Sequence, residues 1–195
     1  MAGRLLILGA GGHGRAVADL ALECGFTVAG FTDRVPGPEV LGGDDGVATL
    51  ASDGKIDGAV VGVGNTALAR RAELFSMLRS LRVATPTLIH PRACVSRSCK
   101  LGAGVVAFPN VVLGAGVEIG DNVVLYSGVI AEHDCRVADH AYLSPGVILA
   151  GGVTVEAGAF LGMGALVVPG VTVRTGARVK AGAVVVSSPE GIQRA

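Results

Sequence analysis

Two clusters in this 195-residue chain hold residue types that could do chemistry. One is His133 followed directly by Asp134. An imidazole titrates near neutral pH, and a carboxylate beside it orients the ring and raises its basicity, so the pair suits a general base. A solvated histidine at a turn is the competing reading of the same two residues. The other cluster is Gly9-Ala10-Gly11-Gly12-His13-Gly14, with Asp33 nineteen residues beyond Gly14. Glycines at this spacing let backbone approach phosphate groups where a strand turns into a helix, whose N-terminus adds partial positive charge. A dinucleotide fingerprint and a purely structural glycine turn both fit that motif.

The elements that must position these clusters change in kind near residues 88–94. Leu5-Leu6-Ile7-Leu8 reads as a buried parallel strand that ends in glycines. Helical spacing runs from Arg15 to Cys24, with Gly25 placed to end the helix. Thr27–Phe31 is a second strand that stops at Asp33, and Val35–Asp45, with two Pro and three Gly, is loop. A third strand, Ala59–Val63, leads through Gly64-Asn65 into a helix. That helix is expected to bury Leu68, Ala72, Phe75, Leu78 and Leu81, with Arg70, Arg71, Glu73 and Arg79 on other faces. Thr87-Leu88-Ile89 closes the domain as a last strand. Residues 1–88 are thus a small Rossmann-like α/β domain. They supply about one mononucleotide-binding half, which disfavours a nicotinamide-dependent oxidoreductase.

From residue 89 onward the pattern is a strict period of six. Every sixth residue from Val95 to Val185 is Val, Ile or Leu in fourteen of sixteen cases, and Ala in the other two. The position four later is always Val, Ala or Cys, and the one before that is mostly Gly, Asn or Asp. Large aliphatics fill a narrow interior, small residues fit beside them, and the Gly/Asn/Asp column tolerates positive φ at corners. Such a period marks a parallel β-helix over residues 89–195. His133 and Asp134 fall at one of its corners. His140, in the corner column where Gly is usual, is a rival base. If the sixth column (Val106, Val112, Val124, Ile130, Ile148, Phe160 and Leu166) points outward, which pleat and corner geometry decide, its apolar side chains form an oligomer interface.

Composition excludes several function classes. With 16 basic and 16 acidic residues, the chain lacks the positive excess of a nucleic-acid binder. Its uncharged runs are broken by Pro and Gly, which argues against membrane spans, and no leader segment is evident. The chain is expected in the cytoplasm. The four cysteines are widely spaced and read as small buried thiols. His133 and His140 lack a third imidazole in the repeat region, so a catalytic metal site is not expected.

These motifs together resemble the sugar O-/N-acyltransferase family, which includes sialic-acid O-acetyltransferases and nucleotide-4-amino-sugar N-acetyltransferases. The resemblance rests on the glycine loop, Phe31-Thr32-Asp33, Gly62-Val63-Gly64-Asn65, Leu88-Ile89-His90-Pro91, Glu132-His133-Asp134-Cys135 and Leu149-Ala150-Gly151-Gly152-Val153. It implies a left-handed β-helix and acetyl transfer from acetyl-CoA to an amino group on a nucleotide sugar, usually UDP-linked. It makes His133 the base and Asp134 its support. Gly11, Gly12, His13, Asp33, Arg34, Gly64 and Asn65 would bind the nucleotide sugar. Tyr142, Gly151 and Met163 would meet the acyl donor between subunits of a homotrimer, with the Gly151 amide as oxyanion donor. Arg174, Arg178 and Lys180 would meet the CoA phosphates or form a solvated basic face. The chain departs from the family at Tyr142, where relatives usually carry His, at Arg34, where a second acid is frequent, and in the tail Ser187–Ala195, which lacks the usual closing motif. Sugar O-acetylation and a catalytically silent sugar-nucleotide-binding protein are the alternatives.

Overall fold

The computed structural model describes residues 3–187. The chain divides into two compact units, Met1–Leu88 and Ile89–Ala195. In the first, β1 (Arg4–Leu8) is flanked by β2 (Thr27–Thr32) and β3 (Gly58–Val61) in a fully parallel sheet of order β2-β1-β3. Leu5–Leu8 and Ala59–Val61 are essentially inaccessible, as expected of strands covered on both faces. Helix α1 (Gly12–Glu23) starts three residues earlier than its apolar spacing predicts, because the glycines themselves form its first turn. It ends as expected: Gly25 adopts φ +83° and donates its N–H to the Leu22 carbonyl.

The segment after β2 is only partly loop. Its residues 39–41 fold back along β2, with Phe31 N–H donating to the Glu39 carbonyl and Leu41 N–H to the Phe31 carbonyl. This covers an otherwise open sheet edge. A short helix, α2 (Val47–Ser52), follows and was not expected. Helix α3 (Leu68–Ser80) corrects the sequence reading of its faces. It buries Arg71, Leu74, Phe75 and Leu78, while Leu81 is 40% exposed. Backbone carbonyls at the end of β3 solvate the Arg71 guanidinium, so a charged residue takes an apolar position.

The second unit is a parallel β-solenoid whose two-residue strands stack into sheets of six, six and five strands. Its interior is the predicted pair of columns, from Val105 and Ala107 through Val185. Corner residues Asn110, Asn122, Asp134 and His140 all adopt φ between 54° and 62°, and the corner glycines φ between 64° and 72°. Leu88–Ile89 corrects another expectation. It is the end strand of a solenoid sheet rather than the last strand of the α/β sheet.

The sixth column lies outside the core, but its three faces differ. One face carries Cys94, Val112, Ile130, Ile148, Leu166 and Val184 in register. Val112 and Ile148 are 37% exposed and Val184 58%. A second face is polar, with Lys100, Glu118 and Arg136 adjacent in the ladder. On the third, Val106, Val124 and Tyr142 are buried. Of the four thiols expected to be buried, only Cys135 is; Cys24 and Cys99 are half-buried, and Cys94 is exposed because its column points outward.

Candidate active site

His133 and Asp134 occupy the corner between the strands Ile130–Ala131 and Arg136–Val137. Both side chains are largely exposed. The positive φ of Asp134 swings its carboxylate back alongside the ring, and Oδ2 lies 2.9 Å from His133 Nδ1. That contact places the ring proton on Nδ1 and leaves Nε2 as the acceptor. Glycines in the adjoining coils make room for both groups. A β-carbon on Gly116 would stand 2.7 Å from Asp134 Oδ1, and one on Gly151 would stand 2.5 Å from His133 Nε2.

Gly151 lies three hexads beyond His133, so it stacks on the same corner one coil later. Among the described residues its N–H has no acceptor. The buried thiol of Cys135 fixes the direction of that N–H. Cys135 Sγ donates to the Ala150 carbonyl oxygen at 3.1 Å, turning it inward. In a trans peptide the N–H opposes the C=O, so Gly151 directs its N–H outward. A base and an unused backbone donor at one exposed corner can deprotonate a nucleophile and stabilise an oxyanion.

Other predicted residues sit elsewhere on the solenoid. His140 is at a different corner, with Nδ1 3.0 Å from Asn122 Nδ2. Met163 is exposed at the third corner. Tyr142 is buried in an aromatic ladder, its ring centroid 5.8 Å from both Tyr126 and Phe160. Within one chain, then, His133, Asp134 and Gly151 come together, and Tyr142 and Met163 do not join them. Arg178 lies over the Phe160 ring at 4.5 Å, and Arg174 faces Glu156 at 3.6 Å. The tail motif falls mostly outside the described residues. Among the described residues no cluster of three His, Cys, Asp or Glu could hold a metal. No described helix is long and apolar enough to cross a membrane.

In the α/β unit, the glycine loop links β1 to α1. A β-carbon on Gly14 would overlap the Gly9 carbonyl, so this glycine permits the close crossing of helix and strands. Gly11 and Gly12 instead face open space. Asp33 is fixed by the loop: its Oδ2 accepts the Ala10 N–H at 2.9 Å and its Oδ1 the Val35 N–H at 3.1 Å. These N–H donors hold its pKa below the usual carboxylate value. Gly11 and Asp33 line a groove of about 1130 Å³ together with Arg15, Asp19, Pro36 and Pro38. Arg34 is exposed beside it, while Gly64 packs against the His13 side chain and Asn65 opens the following turn.

The sequence reading missed Arg71, which is 1% exposed. Its guanidinium donates to the Val63 carbonyl at 2.6 Å and lies 3.4 Å from His13 Nε2. Its place four residues before Phe75 and seven before Leu78 was the available signal. Burial, and then the Arg71 charge, push the His13 imidazole down to a pKa of about 3.

Comparison with known proteins places these features in company. Residues 4–78 match the family described as the PglD N-terminal domain. GDP-perosamine N-acetyltransferase from Caulobacter crescentus, solved with CoA and GDP-perosamine, is 37% identical with a TM-score of 0.90 over 95% of this chain and 89% of that one. The acetyltransferase domain of PglB from Neisseria gonorrhoeae, solved with acetyl coenzyme A, is 31% identical with a TM-score of 0.88 over 96% and 92%. No curated protein matches the chain.

Proposed function

Since the chain belongs to the hexapeptide-repeat sugar O-/N-acyltransferases, we propose that it moves an acetyl group from acetyl-CoA to the amino group of a nucleotide-activated sugar. The observation that carries this reading is the corner where His133 Nε2, backed by Asp134, faces the Gly151 backbone. His133 Nε2 takes the proton that the acceptor amine loses as its nitrogen bonds to the thioester carbonyl carbon. Gly151 N–H donates to the carbonyl oxygen as negative charge develops there. Asp134 holds the imidazolium in place until its proton passes to the departing CoA sulfur.

The glycine loop receives the nucleotide. Gly11 and Gly12 give the phosphates close access to backbone at the start of α1. Each Asp33 oxygen keeps a second lone pair for a ribose or base donor. A GDP-linked amino sugar is placed first because the Caulobacter relative holds GDP-perosamine. The UDP-linked sugar implied by the sequence resemblance is the alternative.

The reading includes a homotrimer. The apolar face of Val112, Ile130, Ile148 and Leu166 supports burial against a second copy. A neighbouring copy would also bring Met163 toward another chain's His133. Turnover of acetyl-CoA, followed by thiol release, tests the activity across GDP-, UDP- and dTDP-amino sugars and free sialic acids. Thiol release with an amino sugar is expected. Release with sialic acid alone would make the chain an O-acetyltransferase, and none with any acceptor would leave a binding protein.

A further inference from the structure

We propose that Arg71 is a positioning residue that locks His13 as a neutral imidazole protonated on Nδ1. This inference rests on the nucleotide-sugar reading only for its functional consequence. The geometry is that of a group that can only donate. A guanidinium has only N–H groups and stays charged, so Arg71 Nη1, 3.4 Å from His13 Nε2, favours a lone pair there. An N–H on Nε2 would face a cationic donor. Of the two N–H groups on Nη1, one goes to the Val63 carbonyl at 2.6 Å and the other is shared between the Val61 carbonyl at 3.3 Å and His13 Nε2. The side chain is almost fully buried, so it cannot swing away.

A further feature opposes a charged His13. It is the second residue of α1, whose N-terminal end carries partial positive charge. The charged groups around the loop make their contacts with its backbone. Asp33 is engaged by the Ala10 and Val35 N–H groups, and Arg15 donates to the Ala10 carbonyl. Burial and the Arg71 charge both lower the affinity of the ring for a second proton.

The consequence bears on the division of labour between His13 and His133. His13, with its Nε2 lone pair turned to Arg71, has no site to accept a proton from a substrate amine. It is neither a second base nor a cation. Arg71 supplies the fixed positive charge at this end of the sheet.

Nitrogen-15 NMR of the full chain with labelled histidine tests this directly. Long-range proton–nitrogen spectra from about pH 5 to about pH 8 read tautomer and protonation, with the His13 signals assigned by their loss in His13→Gln. The expected result is a single proton on Nδ1 throughout. A proton on Nε2, or gain of a second proton in this range, would overturn the proposal. In Arg71→Met, which leaves the burial but removes the charge, His13 should titrate higher than in the unaltered chain. A folded Arg71→Met protein with an unchanged His13 spectrum would remove Arg71 from the role. If that variant does not fold, Arg71→Lys, which keeps a cationic donor, should retain the Nδ1 tautomer, and the spectrum of the unaltered chain still decides the assignment. The spectra need no substrate, so an inactive enzyme and a mistaken tautomer give separate results.

Discussion

Gly151 stands over the His133 imidazole so closely that a β-carbon there would lie 2.5 Å from Nε2. The glycine therefore serves the ring as much as the backbone, and it does so without a positive φ. Gly151→Ala should fold normally while displacing the base. A shift of about 1 Å at a reacting group can cost on the order of 10²-fold, which should appear in kcat with intact circular dichroism.

Replacing His133 with Ala should lower kcat by ~10²–10⁴-fold, the usual contribution of one general base. The side chain is exposed, so thermal stability should hardly change. Turnover close to that of the unaltered chain would move the role elsewhere, with His140 examined next. Asp134→Asn should give a smaller loss in kcat, since Asn also tolerates the positive φ at this corner.

Asp33→Ala should raise KM for the nucleotide sugar and leave KM for acetyl-CoA nearly unchanged. It also removes the acceptor for the Ala10 and Val35 N–H groups. Hydrogen bonds to a charged group contribute about 1.5–3 kcal/mol, so a modest fall in melting temperature should accompany the kinetic change. Equal weakening of both substrates would contradict separate sites.

His13 makes stability depend on acid. Its folded pKa, about 3, lies below the value near 6.5 expected in the unfolded chain. The unfolded state therefore binds a proton that the native state refuses. The associated stability is complete above about pH 6.5 and declines as pH falls toward about 3. Urea unfolding across this range should show the decline, and Arg71→Met should reduce it if the variant folds.

Light scattering on the eluting protein should report three chains. Ile148→Asp, in the middle of the apolar face, should favour the monomer and lower activity with the coils intact. A fully active monomer would refute the shared-site arrangement.

The sequence by itself determined the solenoid, because only a coil with three equivalent sides repeats large, small and turn-forming residues every six positions without a slip. It likewise located His133 and Asp134 at a corner, since that follows from local spacing, whereas the close crossing at Gly14 came only with the structure. Tertiary structure decided what lies beside what. Hexad spacing puts His140 one corner beyond His133 and Gly151 on the His133 corner, but it does not say that the ring lies so close under Gly151 that a β-carbon would not fit. Arg71 was hidden for a related reason. Periodicity assigns a charged residue to the solvent face, whereas the carbonyls that solvate this guanidinium belong to Val61 and Val63, at the end of β3 and just beyond it, and only the fold of the turn into α3 brings them over the side chain.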